Sequence, residues 1–215
     1  MQPHRSPGAD ATKILMRKEL AAVLDDLKRK AVRSPNTRLN LVLSRLATCC
    51  GLRASEIASL HVSDVRVAGA RPHVRIRRGA AKGGRPRKVP SWWDAGTLAD
   101  LSAWKKDKVA ANPNAELPFV ASLREGRLGI VMSRHTLRKR YRTACKVLGL
   151  ARLETLTIHH GRHTFISHAL AGGRTLAEVR DAAGHANVSI TSTYLHMLVD
   201  DEEEVGNLFG NQSCM

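Results

Sequence analysis

Thr157-Ile158-His159-His160-Gly161-Arg162-His163-Thr164 packs three histidines and an arginine into one short run. Residues three apart share a helical face, so a helix starting near His159 sets His159 beside Arg162. Histidine passes protons near neutral pH, and arginine offers a fixed fork of donors that suits a phosphate. A metal reading competes, because His159 and His163 are four apart, the spacing of paired zinc ligands on a helix. Arg162 is a permanent cation between them and the glutamate of that zinc motif is absent, so repulsion argues against a divalent ion. A structural reading also competes, in which histidines bond backbone groups in the core. It fits His163 and His168, and fits His159 less well.

Working toward the C-terminus, Ala182-Ala183-Gly184-His185-Ala186-Asn187 comes next, and Tyr194 stands nine residues beyond His185. The chain has only two tyrosines. Tyr141 falls on an apolar helix face and reads as core. Tyr194 alone reads equally as core. Helical segments are expected near 160–171, 175–183 and 189–198, separated by Gly172-Gly173 and Gly184-His185.

Toward the N-terminus, residues 1–12 read as polar and disordered. Leu20, Val23, Leu24 and Leu27 then line one helical face, and Ser34-Pro35-Asn36 breaks that helix. Leu39, Val42, Leu43, Leu46, Ala47 and Cys50 line the next, which Gly51 ends where a C-cap glycine belongs. Arg53-Ala54-Ser55-Glu56 opens a short helix carrying Ile57 and Leu60. Val74 and Ile76 alternate with His73, Arg75 and Arg77 in a strand pattern. Ala80-Ala81-Lys82-Gly83-Gly84 is a hairpin-type turn, and Lys88-Val89-Pro90 closes the second arm. Leu98, Leu101 and Trp104 suggest another helix. Ser133 caps one whose buried face is Leu137, Tyr141, Ala144 and Leu148. The fold class is mainly α with a small antiparallel β-sheet.

Net charge names the partner. Thirty-five Lys and Arg against 19 Asp and Glu give +16, a self-repulsion that a polyanion relieves. Nucleic acid is the expected partner. Arg75, Arg77, Arg78, Arg85 and Arg87 make the hairpin basic, and Arg138, Lys139 and Arg142 form a second basic face. A plain solvated face is the alternative. Cys49, Cys50, Cys145 and Cys214 form no CxxC pair, so reduced thiols are expected. No apolar run suits a signal peptide or a membrane span. A cytoplasmic protein is expected.

Taken in order, Gly51-Leu52-Arg53-Ala54-Ser55-Glu56, Lys82-Gly83-Gly84, His159-x-x-Arg162, Gly184-His185 and Tyr194 resemble the catalytic domain of tyrosine recombinases, the phage integrase family. The resemblance sets a domain at 13–198 and leaves 199–215 as a tail. It implies that Arg53 and Arg162 clamp a scissile phosphate of double-stranded DNA. It implies that His159 assists proton transfer and contacts the phosphate, and that His185 holds a nonbridging oxygen. Lys82 would protonate the departing 5′ oxygen, and Tyr194 would attack phosphorus to form a 3′-phosphotyrosine link. The implied function is site-specific recombination or integration of mobile DNA, with no cofactor, metal or ATP and with self-association on DNA. The alternatives are a type IB-like topoisomerase and a DNA-binding protein with little recombination activity.

The chemistry suits those residue types. Negative charge builds on the phosphate oxygens as attack proceeds, and preorganised cations stabilise it. A tyrosine with a pKa near 10 needs a base or a positive field to become a nucleophile. Two departures stand out. Gly161 replaces a usual Leu and is expected to loosen packing or tilt the helix start, and Ala183 replaces a usual Leu. Many members also carry a separate helical DNA-clamping domain, so this chain reads either as a catalytic fragment or as an enzyme lacking that domain. In the tail, Leu208 and Phe209 after the acidic run 200–204 could anchor a neighbouring subunit, with disorder the alternative.

Overall fold

The computed structural model describes residues 13–79 and 86–195. Residues 1–12, the Ala80–Gly84 turn with Lys82, Arg85, and the tail with Leu208 and Phe209 lie outside the described residues.

Helix α1, Arg17–Ala31, buries Leu20, Val23, Leu24 and Leu27, the face its spacing predicts. The Ser34 hydroxyl accepts from the Thr37 N–H at 3.2 Å, and Pro35 takes the first turn, where no donor is needed. Helix α2 therefore runs Pro35–Ser44 and then passes into a π-helical turn, Arg45–Cys49. That turn closes with the Cys50 N–H on the Arg45 carbonyl at 3.0 Å. Apolar spacing does not foretell it. Gly51 then adopts φ +62°, and a Cβ there would lie 2.4 Å from the Phe165 ring. The sharp exit and the close ring both demand glycine. Helix α3, Ala54–Ala58, comes at once after it.

Strands β1 (Val65–Arg66), β2 (His73–Ile76) and β3 (Arg87–Pro90) form the expected antiparallel sheet in that order. The register pairs Val74 with Val89 and Ile76 with Arg87. Cross-strand partners share a face, so Arg87 lies on the side of the sheet that buries Val74, Ile76 and Val89.

Helix α4, Ala95–Ala111, buries Leu101 and Trp104. Helix α5, Arg134–Ala144, starts from Ser133, whose hydroxyl accepts from the Thr136 N–H at 3.1 Å. It buries Leu137, Tyr141 and Ala144 and stops there. Leu148, expected on the same helix, sits half-buried in a separate 3-10 turn, Lys146–Leu148, which ends on Gly149 at φ +84°. Helix α6 is Leu150–Thr155.

Helix α7, Ile158–Ala171, runs through the core with almost every residue buried. Its Thr164 hydroxyl accepts from the Leu15 N–H at 2.9 Å, and the His168 Nε2 meets the Leu15 carbonyl at 2.8 Å. The core reading of His168 matches this contact. Phe165 is fully buried and stacks on Trp93 with ring centroids 6.0 Å apart. Burying a side chain of that size contributes roughly 2 kcal/mol.

Gly161 corrects an expectation. A Cβ on it would lie 2.9 Å from the Ala47 carbonyl oxygen and 3.0 Å from its carbon. The glycine does not loosen the packing. It lets the backbone of α7 close on the π-helical turn.

Helix α8, Leu176–Ala183, and helix α9, Val188–Ser192, complete the described chain. Helix α9 stops at Ser192 and Tyr194 lies in the turn after it, where a helix is expected over 189–198, of which 196–198 lie outside the described residues. Cys49, Cys50 and Cys145 are buried free thiols. Among the described residues no helix is long and apolar enough to cross a membrane.

Candidate active site

Arg162 stands on the buried face of α7. One guanidinium nitrogen donates to the Gly51 carbonyl at 2.9 Å and another to the Ala183 carbonyl. Both carbonyls lie at helix ends, where intrahelical donors run out. The side chain thus ties two chain ends together through backbone oxygens rather than through a carboxylate.

Glu56 of α3 has a fully buried side chain and accepts from two directions. Arg87 reaches both its oxygens, at 2.8 and 2.9 Å, and also donates to the Ala182 carbonyl at 2.8 Å. Arg53 donates to it through its guanidinium at 3.0 Å and its backbone N–H at 2.9 Å. Burial opposes the Glu56 charge, but the donors from Arg87 and Arg53 win and hold its pKa down.

Among the described residues, Arg53 and Arg87 thus contact one carboxylate and Arg162 contacts none. Burial and the charges of Arg53 and Arg87 pull the Arg162 pKa down to about 9. It stays protonated at neutral pH, in surroundings short of negative charge. His159 sits one turn away, exposed in the first turn of α7. Unpaired N–H groups and the helix dipole there favour an anion. Burial, then Arg138, Arg162 and Arg53, lower its pKa.

The Gly184-His185 pair is a helix stop. Gly184 takes φ +67°, its N–H bonds the Asp181 carbonyl at 3.1 Å, and the His185 N–H bonds the Arg180 carbonyl at 3.0 Å. This double bond pattern fixes the direction in which the chain leaves α8. The His185 Nδ1 then meets the buried Thr191 hydroxyl at 2.9 Å. Burial, followed by Arg162, Arg53 and Arg87, pushes its pKa down to about 4. Gly184 also admits Arg87, whose Cδ would lie 2.8 Å from a Cβ there.

Tyr194 is 8% exposed. Its hydroxyl lies 2.5 Å from the His163 Nδ1. Its ring stacks with His163 at 5.6 Å and with His185 at 6.4 Å between centroids. Burial raises its pKa, while the charge of Arg162 works the other way. A tyrosine hydroxyl, neutral imidazoles and a cationic seat short of carboxylates among the described residues thus meet in one place. That arrangement can bind an anionic ester and attack it.

A model of the phage integrase family matches residues 13–200. The chain belongs to the phage integrase family. Among curated family relatives, the tyrosine recombinase XerC of Chromohalobacter salexigens is 32% identical over 148 residues, covering 69% of this chain and 45% of the relative. The XerC of Rhodospirillum centenum is 34% identical over 149 residues, 67% of this chain and 38% of the relative. The chain thus spans about half the length of the curated relatives it matches, or less. The fold is that of XerA recombinase, with a TM-score of 0.67 at 18% identity over 91% of this chain and 61% of that one. It is also that of the XerH site-specific recombinase in a post-cleavage complex with palindromic difH substrate, at 0.68 and 21% identity over 90% of this chain and 52% of that one.

The structure brings Arg53, His159, Arg162, His185 and Tyr194 into this one region. Lys82 and Arg85 lie outside the described residues. Three residues carry contacts that sequence reading missed. His163 does not bond backbone as a core histidine, since it holds the Tyr194 hydroxyl. Glu56 is the shared carboxylate. Arg87, expected to face DNA, is turned inward and braces Glu56 against the end of α8. The signal that could have found it is its position two residues before Val89, on the same face of the strand.

Arg75 and Arg77 pair with Asp64 at 2.9 and 2.8 Å, and Arg77 also reaches Glu116 at 3.0 Å. Arg78 is exposed past the end of β2. Arg138, Lys139 and Arg142 of α5 line a cleft of about 690 Å³ that Thr157 and His159 also line. Among the described residues, no three His, Cys, Asp or Glu side chains gather as a metal-binding group.

Proposed function

We propose that this chain breaks and rejoins double-stranded DNA as a site-specific recombinase of mobile DNA. The carrying observation is the buried Tyr194 hydroxyl, held by His163 within the field of Arg162, whose guanidinium contacts no carboxylate among the described residues. A DNA phosphodiester supplies the missing anion. Arg53 and Arg162 bind its nonbridging oxygens, and His159 and His185 contact them from the first turn of α7 and the end of α8. Tyr194 attacks phosphorus, leaving a 3′-phosphotyrosine and a 5′ hydroxyl. Lys82, by family resemblance, protonates the departing 5′ oxygen. The phosphotyrosine ester conserves the energy of the broken bond, so rejoining needs neither ATP nor a metal. Arg138, Lys139 and Arg142 carry the flanking backbone along their cleft, where each neutralised phosphate steepens the salt dependence of binding. Strand exchange requires self-association on DNA, in the cytoplasm.

The test uses nicked suicide duplexes cut from the DNA flanking the coding sequence. The wild type is expected to form a covalent adduct that survives denaturation, and Tyr194→Phe to form none. An adduct of wild-type yield from Tyr194→Phe overturns the proposal.

A further inference from the structure

The nucleophile has a proton problem. A phenol with a pKa near 10 is ionised in only about one molecule in a thousand at pH 7. Burial pushes Tyr194 higher still. Attack therefore needs an acceptor for its proton at the hydroxyl itself, because a base must lie within hydrogen-bond reach.

Among the described histidines around Tyr194, one meets that requirement. His185 stacks at 6.4 Å, but its Nδ1 is engaged with the Thr191 hydroxyl at 2.9 Å. His159 is exposed at the start of α7. His163 lies one turn further along α7, and its Nδ1 is 2.5 Å from the Tyr194 oxygen. The two rings are stacked at an interplanar angle of 27°, which fixes the approach.

Resting on the reading of Tyr194 as nucleophile, we propose that the His163 Nδ1 is the base that takes the Tyr194 proton. The ring acts as the tautomer protonated on Nε2, whose Nδ1 lone pair faces the hydroxyl. The groups around it are His159, His160 and Arg162 on α7, Lys13 in the N-terminal segment, and His185 and Tyr194 beyond α8. None is a carboxylate. Burial first, then His160, His159, Arg162 and Lys13, pushes the ring down to about 4, so it is neutral and its lone pair open at pH 7. A bound phosphodiester reverses that balance, because a nearby negative charge favours the imidazolium. The base thus gains proton affinity as substrate arrives.

The step balances. The Tyr194 O–H bond breaks as the O–P bond forms, and the proton passes to the His163 Nδ1. The P–O5′ bond breaks, its electron pair goes to O5′, and that oxygen leaves protonated by the site's general acid. Rejoining runs in reverse, with the imidazolium returning its proton to the Tyr194 oxygen.

The test compares His163→Ala, His163→Asn, Lys82→Ala and Tyr194→Phe on the nicked duplexes, with oxygen or sulfur at the bridging 5′ position. Asparagine keeps a hydrogen bond to the tyrosine but cannot accept its proton. Both His163 variants are expected to slow cleavage by about a hundredfold or more, and free imidazole to restore part of the His163→Ala rate. A 5′ thiolate leaves without a proton, so sulfur is expected to rescue Lys82→Ala and not the His163 variants. Wild-type cleavage by His163→Asn overturns the inference, as does sulfur rescue of the His163 variants equal to that of Lys82→Ala. If His163→Ala does not fold, His163→Asn carries the test. A wild-type adduct yield from Tyr194→Phe overturns the nucleophile reading instead, and this inference with it.

Discussion

Two arginine clusters differ mainly in their acids. Arg75 and Arg77 meet two carboxylates, Asp64 and Glu116. Among the described residues, Arg53 and Arg87 contact one, Glu56, and Arg162 beside them contacts none. The first cluster is charge-matched and part-exposed; in the second the side chains of Arg87 and Arg162 are buried, Arg53 is part-exposed, and the group is left positive. Arg77 and Arg162 respond in opposite directions. Hydrogen bonds donated to Glu116 and Asp64 raise Arg77, while burial and its cationic neighbours lower Arg162 to about 9. A count of arginines does not separate the two clusters. What marks an anion-binding seat is the carboxylate that is missing from it.

The contrast can be broken most forcefully at Glu56. Glu56→Gln removes the one counter-charge from the inner cluster. Its expected loss is about 3–5 kcal/mol of stability, the scale for stranding a buried charge, read by thermal or urea unfolding. A loss under about 1 kcal/mol would show the inner cluster to be no different from a surface pair. Next in size, Arg162→Ala is expected to slow covalent cleavage about a hundredfold or more, since it removes a donor from the developing charge. An equal loss of rate from Arg77→Ala would erase the distinction.

Sulfate sharpens it without mutation. Added to the DNA-free protein, it is expected to raise the melting temperature of the wild type, by about 1.4 kcal/mol of stabilisation at ten times its dissociation constant. The same titration on Arg162→Gln should be flat. A rise of equal size there would move the anion site elsewhere.

A smaller effect comes from pH. His163 and His185 usually titrate near 6.5 and are pushed to about 4 by folding. The neutral form is the one the fold favours, so their contribution is complete above pH 6.5 and declines as pH falls toward 4. Sulfate should blunt that decline, because an anion favours the imidazolium. Smallest of all, Glu116→Gln, on an exposed pair, should leave the melting temperature unchanged.

Much of this was legible in sequence, for physical reasons. Period-2 alternation assigned β2, whereas Arg87, read as facing DNA, shares its face with Val89 two residues on and turns inward. Helical spacing assigned α1, α5 and the start of α7, which put Arg162 one turn below His159. The seat of Tyr194 was not legible. Its bond to His163 spans thirty-one residues and depends on how the chain leaves Gly184. Gly161 was misread for a related reason. A residue-type comparison registers a missing side chain, whereas the backbone of Ala47 that occupies the space belongs to another element.

The π-helical turn at Arg45–Cys49 has a consequence for insertions and deletions. The wider turn takes up one residue more than an α turn would, so the chain beyond it keeps its rotational phase. Losing one residue there would let the turn close as an α turn with Gly51, Arg53 and Glu56 still in place. Gaining one would swing them by about 100°, the advance of a helix per residue, carrying the Gly51 carbonyl away from Arg162. Along this segment the chain should accept a loss of length more readily than a gain.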